Sequence, residues 1–204
     1  MRNPALRLVT PTSEKQTVMA RRRPNAEYRT REYLSEHEVE QLIEATKGNR
    51  QAHRDGTMIL LAFRHGLRAA GDLRWEQVEF ETAVLHVRRR KNGTPSVHPL
   101  SGRELGALRR LRRESEASPF IFLSERGAPF SVAGFQKLIA RAGEKAGLEF
   151  KVHPHMLRHA CGYTLANAGQ DTRALQAYLG HRCIQHTTIY TELSPERFKR
   201  FWRD

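Results

Sequence analysis

His155 and Arg158 stand one helical turn apart in the stretch His153-Pro-His-Met-Leu-Arg-His159, so they project from one flank of the same helix. Leu157, Ala160, Cys161, Thr164, Leu165 and Ala168 follow at i, i+3, i+4 and i+7 spacing, a stripe that pins such a helix to a core. The N-terminal edge of the helix thus offers an imidazole and a guanidinium where its dipole favours an anion. A phosphate is the natural guest. Downstream lie Leu179-Gly180-His181 and then Ile189-Tyr190, whose phenol is the candidate to attack it.

The elements that must hold these residues are mostly helical. Ser35 with Glu38 is a capping box, and Val39, Leu42, Ile43 and Thr46 keep helical period behind it. A more apolar helix runs from about Gln51 to Arg64 and stops at His65-Gly66. Gly66 to Leu73 reads as a turn leading into a short helix. Trp75, Val78 and Phe80 have β character, followed by strands at Val84–Val87 and Ser96–Leu100. Asn92-Gly93 between those strands is a hairpin signal that puts Lys91 at the mouth of a tight turn. Ser101 caps a helix carrying Leu105, Leu108 and Leu111. Phe120–Leu123 is a short apolar run, and Phe135, Leu138, Ile139 and Ala142 share one side of a further helix. Asp171 caps a helix that Gly180 ends, leaving His181 just beyond it. A short helix from Ile184 to Thr191 bears Tyr190, and Ser194 opens a last one ending in Phe201-Trp202. The expectation is a mainly α domain with one small antiparallel β-sheet, over residues 31–204.

The 204 residues carry a formal charge of +13, which points to a polyanionic partner, nucleic acid before membrane. The longest apolar run, Met58–Phe63, is far shorter than a bilayer span, and no secretory signal is read. Cys161 and Cys183 have neither metal-site spacing nor a disulfide-rich context, and are expected as reduced thiols packed like small apolar residues. A cytoplasmic, nucleoid-associated protein is expected. Residues 1–30, with Arg21-Arg22-Arg23 and several prolines, read as a basic, poorly ordered arm. It either tracks DNA phosphates or is a solvated tail.

The ordered set Arg68 in Gly-Leu-Arg, Lys91 in the hairpin, His155 and Arg158, His181 and Tyr190 resembles the tyrosine recombinases, the phage-integrase family. The likeness spans roughly residues 30 to 200. Within the family, the chain is similar to the short fimbrial phase-switching recombinases, in His-Pro-His-Met-Leu-Arg-His and in lacking a separate N-terminal core-binding domain. One place departs: the family often has an acidic residue three after the first arginine, where this chain has Gly71 followed by Asp72.

The resemblance implies the tyrosine recombinase catalytic-domain fold and a site-specific recombinase that inverts or integrates DNA through a 3′-phosphotyrosyl link, storing the bond energy without ATP, metal or other cofactor. Transesterification requires these residue types. Arg68 and Arg158 can each fork two donors onto phosphate oxygens, and His181 can add a further donor. His155 is expected to take the proton of Tyr190, and Lys91 to protonate the leaving 5′-oxygen. His153 and His159 are read as structural, hydrogen-bonded to backbone; His86, His98 and His186 receive no role, and Tyr163 and Tyr178 are read as core aromatics. A type IB-like topoisomerase and a catalytically silent DNA-binding regulator are the competing functions. Expected partners are double-stranded DNA, further copies in a tetrameric synapse, and accessory DNA-bending proteins. The Ser194–Asp204 tail either docks on a neighbouring protomer or packs on its own domain.

Overall fold

The computed structural model describes residues 31–68, 70–89, 93–114 and 118–192. The arm expected over residues 1–30, the Lys91-Asn92 pair and the segment from Ser194 onward lie outside the described residues. Seven α-helices and a three-stranded antiparallel sheet make up the described part.

Helix α2 (Ala52–Arg64) is the centre of the core, buried at every position from Asp55 to Phe63. Helices α1 (Glu36–Ala45), α3 (Gly102–Glu114) and α5 (Pro154–Asn167) pack around it. A helix enclosed on all sides must be apolar all round. Its one buried acid, Asp55, is held by Arg54 and Asn49. Ser35 and Glu38 form the expected capping box on α1, and α4 (Val132–Lys145) buries Phe135, Leu138, Ile139 and Ala142 as the periodicity requires.

The stretch after α2 forms turns, where the sequence suggested a short helix. Gly66 takes a positive φ of 55°, and Leu67 N–H donates back to Ala62 at 2.9 Å, a left-handed helix stop. Strands β1 (Val78–Glu79), β2 (Val84–Val87) and β3 (Ser96–Pro99) pair in that order. Among the described residues, pairing of β2 with β3 runs from Val84 opposite Pro99 to Val87 opposite Ser96, and the turn expected at Asn92-Gly93 includes Asn92, outside the described residues.

Pro154 opens α5, after an extended His153. The expected stripe is too narrow for this helix. Leu157, Ala160 and Cys161 are buried, but so are Met156, Gly162 and Ala166, while Thr164 and Leu165 are only half-buried and Ala168 is exposed past the helix end. The second buried face exists because α7 (Gln185–Thr191) packs on it. Asp171 caps α6 (Thr172–Leu179) through the backbone N–H groups of Arg173 and Ala174, and Gly180 ends it at φ 67°. Cys161 is buried, with its thiol pushed up to about 12 by burial, whereas Cys183 is exposed on the loop before α7 and does not pack as expected. Among the described residues no helix is long and apolar enough to cross a membrane.

Candidate active site

Two arginines, the buried Arg158 and the half-buried Arg89, meet where α2 and α6 end. Arg158, only 2% exposed, donates from Nη1 to the Gly66 carbonyl and from Nη2 to the Leu179 carbonyl, each at 2.5 Å. Arg89, from the end of β2, donates to the same Gly66 carbonyl at 3.1 Å, to His65 O at 3.2 Å and to Tyr178 O at 2.6 Å. The Tyr178 and Leu179 carbonyls belong to the last turn of α6, and those of His65 and Gly66 lie just past the end of α2, so both sets sit at the negative end of a helix dipole. Backbone dipoles rather than carboxylates therefore receive both guanidinium groups. Burial lowers the pKa of each to about 10, so both stay cationic at neutral pH. The Nε of each is buried without a partner.

These arginines line a cavity of about 480 Å³ together with Arg68, Asp72 and Gly180. Arg68 is exposed. The departure at Gly71 has a steric cause: a Cβ there would collide with the carbonyl of Phe130. No acidic side chain fits at 71 in this packing, and the adjacent Asp72 lines the cavity instead.

Tyr190 is 2% exposed and lies against α5 where Gly162 has no side chain. Burial pushes its phenol up to about 12, against the pull of Arg158. Its hydroxyl lies 3.1 Å from His159 Nδ1. Desolvation, then the charge of Arg158, lowers His159 to about 4, so the ring is neutral at pH 7, and with its proton on Nε2 its Nδ1 is the acceptor for the phenol's O–H. This differs from the expectation in two ways. The imidazole on the hydroxyl is His159, which was read as structural and backbone-bonded. His155, the expected acceptor, is exposed and sits edge-on to His159 with ring centroids 4.4 Å apart. Its pKa also falls to about 4, through desolvation and then the charges of His159 and Arg158. The reason is the docking of α7: Tyr190 seats beside Gly162, two turns further along α5 than His155, and so its hydroxyl reaches His159 first.

His181 is 9% exposed and nearly parallel to the Tyr190 ring, at 14° with centroids 6.3 Å apart. Its Nδ1 lies 2.9 Å from Oγ1 of Thr187, which is fully buried. With Thr187 donating to Nδ1, the proton of the neutral ring rests on Nε2 and is free to be given to an anion. Burial, then Arg158 and Arg68, lowers the pKa of His181 to about 3.

The structure thus brings together Arg158, His181, Tyr190 and the edge-on pair His155 and His159, with Arg68 at the cavity; Lys91 lies outside the described residues. Sequence reasoning missed Arg89, Thr187 and the contact of His159. The last had a signal, since 155 and 159 share a helix face; Arg89 and Thr187 had none beyond standing near residues of interest.

Residues 32–197 match the phage integrase family. The type 1 fimbriae regulatory protein FimB of Escherichia coli K12 is 39% identical over 184 residues, covering 87% of this chain and 92% of FimB. Among solved structures, that of XerA recombinase superposes with a TM-score of 0.70 at 28% identity, over 81% of this chain and 62% of XerA. A post-cleavage complex of the XerH site-specific recombinase with palindromic difH shares the fold, with a TM-score of 0.71 at 21% identity over 86% of this chain and 54% of XerH.

Proposed function

The chain belongs to the phage integrase family and is a site-specific tyrosine recombinase that cuts and rejoins DNA, and we propose that Tyr190 is its nucleophile, served by Arg68, Lys91, Arg158, His181 and the histidine pair on α5. The phenol oxygen attacks the scissile phosphorus, forming a Tyr–O–P bond to the 3′ side while the P–O5′ bond breaks. The phenolic proton passes to His159 Nδ1, with the exposed His155 set edge-on beside it to carry it on. Arg158 keeps one N–H on each terminal nitrogen after serving the two carbonyls, and with Nε–H these donors remain for the non-bridging oxygens. Arg68 and His181 Nε2–H supply further donors, and electrostatic stabilisation of this kind is usually the largest contribution to such a rate. Lys91 protonates the departing 5′-oxygen. Reversal by a 5′-hydroxyl from a second duplex rejoins the strands and returns the proton.

What supports this reading most is one contact: a buried phenol hydroxyl bonded to a neutral imidazole, beside arginines whose partners are carbonyl dipoles. Residues 31–204 form the catalytic domain, and the basic residues of 1–30 follow the DNA backbone. Strand exchange takes place in a tetrameric synapse, with accessory bending proteins where the site requires them.

The test is Tyr190→Phe on a nicked suicide substrate, which traps the covalent adduct because the short 5′ fragment diffuses away. The variant should bind DNA as the wild type does and form no adduct. An adduct that survives in Tyr190→Phe moves the nucleophile elsewhere.

A further inference from the structure

Arg89 has no assigned part in the reaction, yet its contacts are those of a brace for the catalytic centre. It reaches from the end of β2 under the C-terminus of α6 and spans to the end of α2, with Nη1 on Gly66 O and Nη2 on His65 O and Tyr178 O. Gly66 O is also the carbonyl that receives Arg158 Nη1. A neighbouring peptide of α6 does the rest: Tyr178 O receives Arg89 and Leu179 O receives Arg158. The two guanidinium groups therefore interleave on the same two helix ends.

Space for this is made by glycine. At Gly180 (φ 67°) a Cβ would stand 3.0 Å from Arg89 Nε and 2.6 Å from Thr94 O. Behind Arg89 a buried polar chain fixes the same carbonyls' surroundings. Glu104 Oε1 lies 2.9 Å from His65 Nε2, His65 Nδ1 pairs with His98 Nδ1 at 3.0 Å, and His98 Nε2 with the Ser96 hydroxyl at 2.8 Å. Tyr178 stacks on His98 with centroids 3.7 Å apart.

Resting on the reading that Arg158 holds the scissile phosphate, we infer that Arg89 is a positioning residue for cleavage, acting through Arg158 by locking the Gly66 carbonyl and the end of α6 in place. Arg89 need not touch DNA. Without it, Gly66 O and Tyr178 O lose a charged donor, the ends of α2 and α6 separate or rotate, and Arg158 loses the fixed points that aim its remaining N–H groups. A misplacement of about 1 Å at a reacting group costs on the order of 100-fold in rate.

The experiment measures single-turnover cleavage by Arg89→Met and Arg89→Lys, with Arg158→Lys and the double variant Arg89→Met/Arg158→Lys beside them. DNA affinity and thermal melting are measured for each. Two substrates are used: an ordinary nicked site, and the same site with a methylphosphonate at the scissile position, which removes one non-bridging negative charge. On the ordinary site Arg89→Met should lose about 100-fold in cleavage with unchanged DNA affinity. Arg89→Lys should recover little of this, because one ammonium cannot bridge three carbonyls in a plane. The double variant should be scarcely worse than Arg158→Lys, since both changes damage one clamp. On the methylphosphonate site, where less charge needs holding, the deficits of Arg89→Met and Arg158→Lys should shrink together.

Deficits that multiply in the double variant, or an Arg89→Met deficit undiminished on the methylphosphonate while that of Arg158→Lys shrinks, would overturn the inference. So would wild-type cleavage by Arg89→Met. Wild-type cleavage by Arg158→Lys would instead remove the clamp reading on which the inference stands. Should Arg89→Met melt too low to assay, Arg89→Lys carries the same comparison.

Discussion

Gly162→Ala is the smallest change that tests the seating of the nucleophile. A Cβ at 162 would lie 2.7 Å from both Cε1 and Cζ of Tyr190 and 2.8 Å from Cδ1. Ordinary contact begins at 3.4 Å, so the ring or α5 must give by about 0.7 Å. The ring cannot yield freely. Tyr163 stands against it at 5.1 Å and 90°, and His181 lies nearly parallel on another side. Overpacking of this kind costs typically about 1–3 kcal/mol, while Ala in place of Gly within a helix returns about 1 kcal/mol. Net destabilisation should therefore stay within about 2 kcal/mol, and the domain should remain folded. Cleavage should suffer more. A shift of 0.7 Å approaches the displacement of about 1 Å that can cost on the order of 100-fold, so a loss of tens of fold in single-turnover cleavage is expected. DNA affinity, measured separately by titration at fixed salt, should not change. Gly106→Ala in α3 is the control, because nothing lies within 4 Å of its Cβ position and it should only stabilise its helix. Cleavage by Gly162→Ala at the wild-type rate would refute the account of how Tyr190 is held.

Three further outcomes follow from the site. His159→Ala should slow single-turnover cleavage by about 100-fold or more, the usual worth of a positioned proton acceptor, and by more than His155→Ala does; the reverse order would restore His155 as the direct acceptor. Lys91→Ala should cleave an ordinary site very slowly but regain most of its rate on a substrate with sulfur at the bridging 5′ position, since a thiolate leaves without a proton, whereas Arg158→Ala should gain nothing; equal rescue of both would remove Lys91 as the acid. His98 (0% exposed) and His181 (9% exposed) have folded pKa values near 3, below the unfolded 6.5. Their contribution to stability is thus complete above about pH 6.5 and lost as pH falls toward 3; at about 1.4 kcal/mol per unit the loss is several kcal/mol, and urea titrations from pH 8 to 4 that show constant stability would contradict it.

Features set by local sequence were legible. The capping box of Ser35 and Glu38, the Asp171 cap and the Gly180 stop each depend on residues within one or two turns, and each forms as read. Features set by packing between elements were not. The single stripe on α5 missed the face that α7 covers, because nothing near residue 162 announces where Tyr190 will seat. The same docking decides between His155 and His159, which helical spacing alone leaves equivalent. The stop of α2 at His65-Gly66 forms as read, but nothing near Gly66 shows that its carbonyl will meet two arginines. Arg89 was invisible for a related reason: its acceptors are main-chain carbonyls 23, 24 and 89 residues away, and a carbonyl has no letter in a sequence. Gly71 is the converse case, a departure from the family's pattern that Phe130's backbone explains.

The carbonyls that receive Arg89 and Arg158 also decide how the centre meets its substrate. An arginine held by a carboxylate must give up that partner, or share it against repulsion, when a phosphate arrives. Peptide oxygens carry no formal charge and take up no proton in the physiological range, so they neither compete as anions nor change with acidity. Arg158 can keep its supports at Gly66 and Leu179 and still offer its remaining N–H groups. The incoming phosphate then displaces water and mobile ions from the guanidinium face, leaving the anchors of the protein in place.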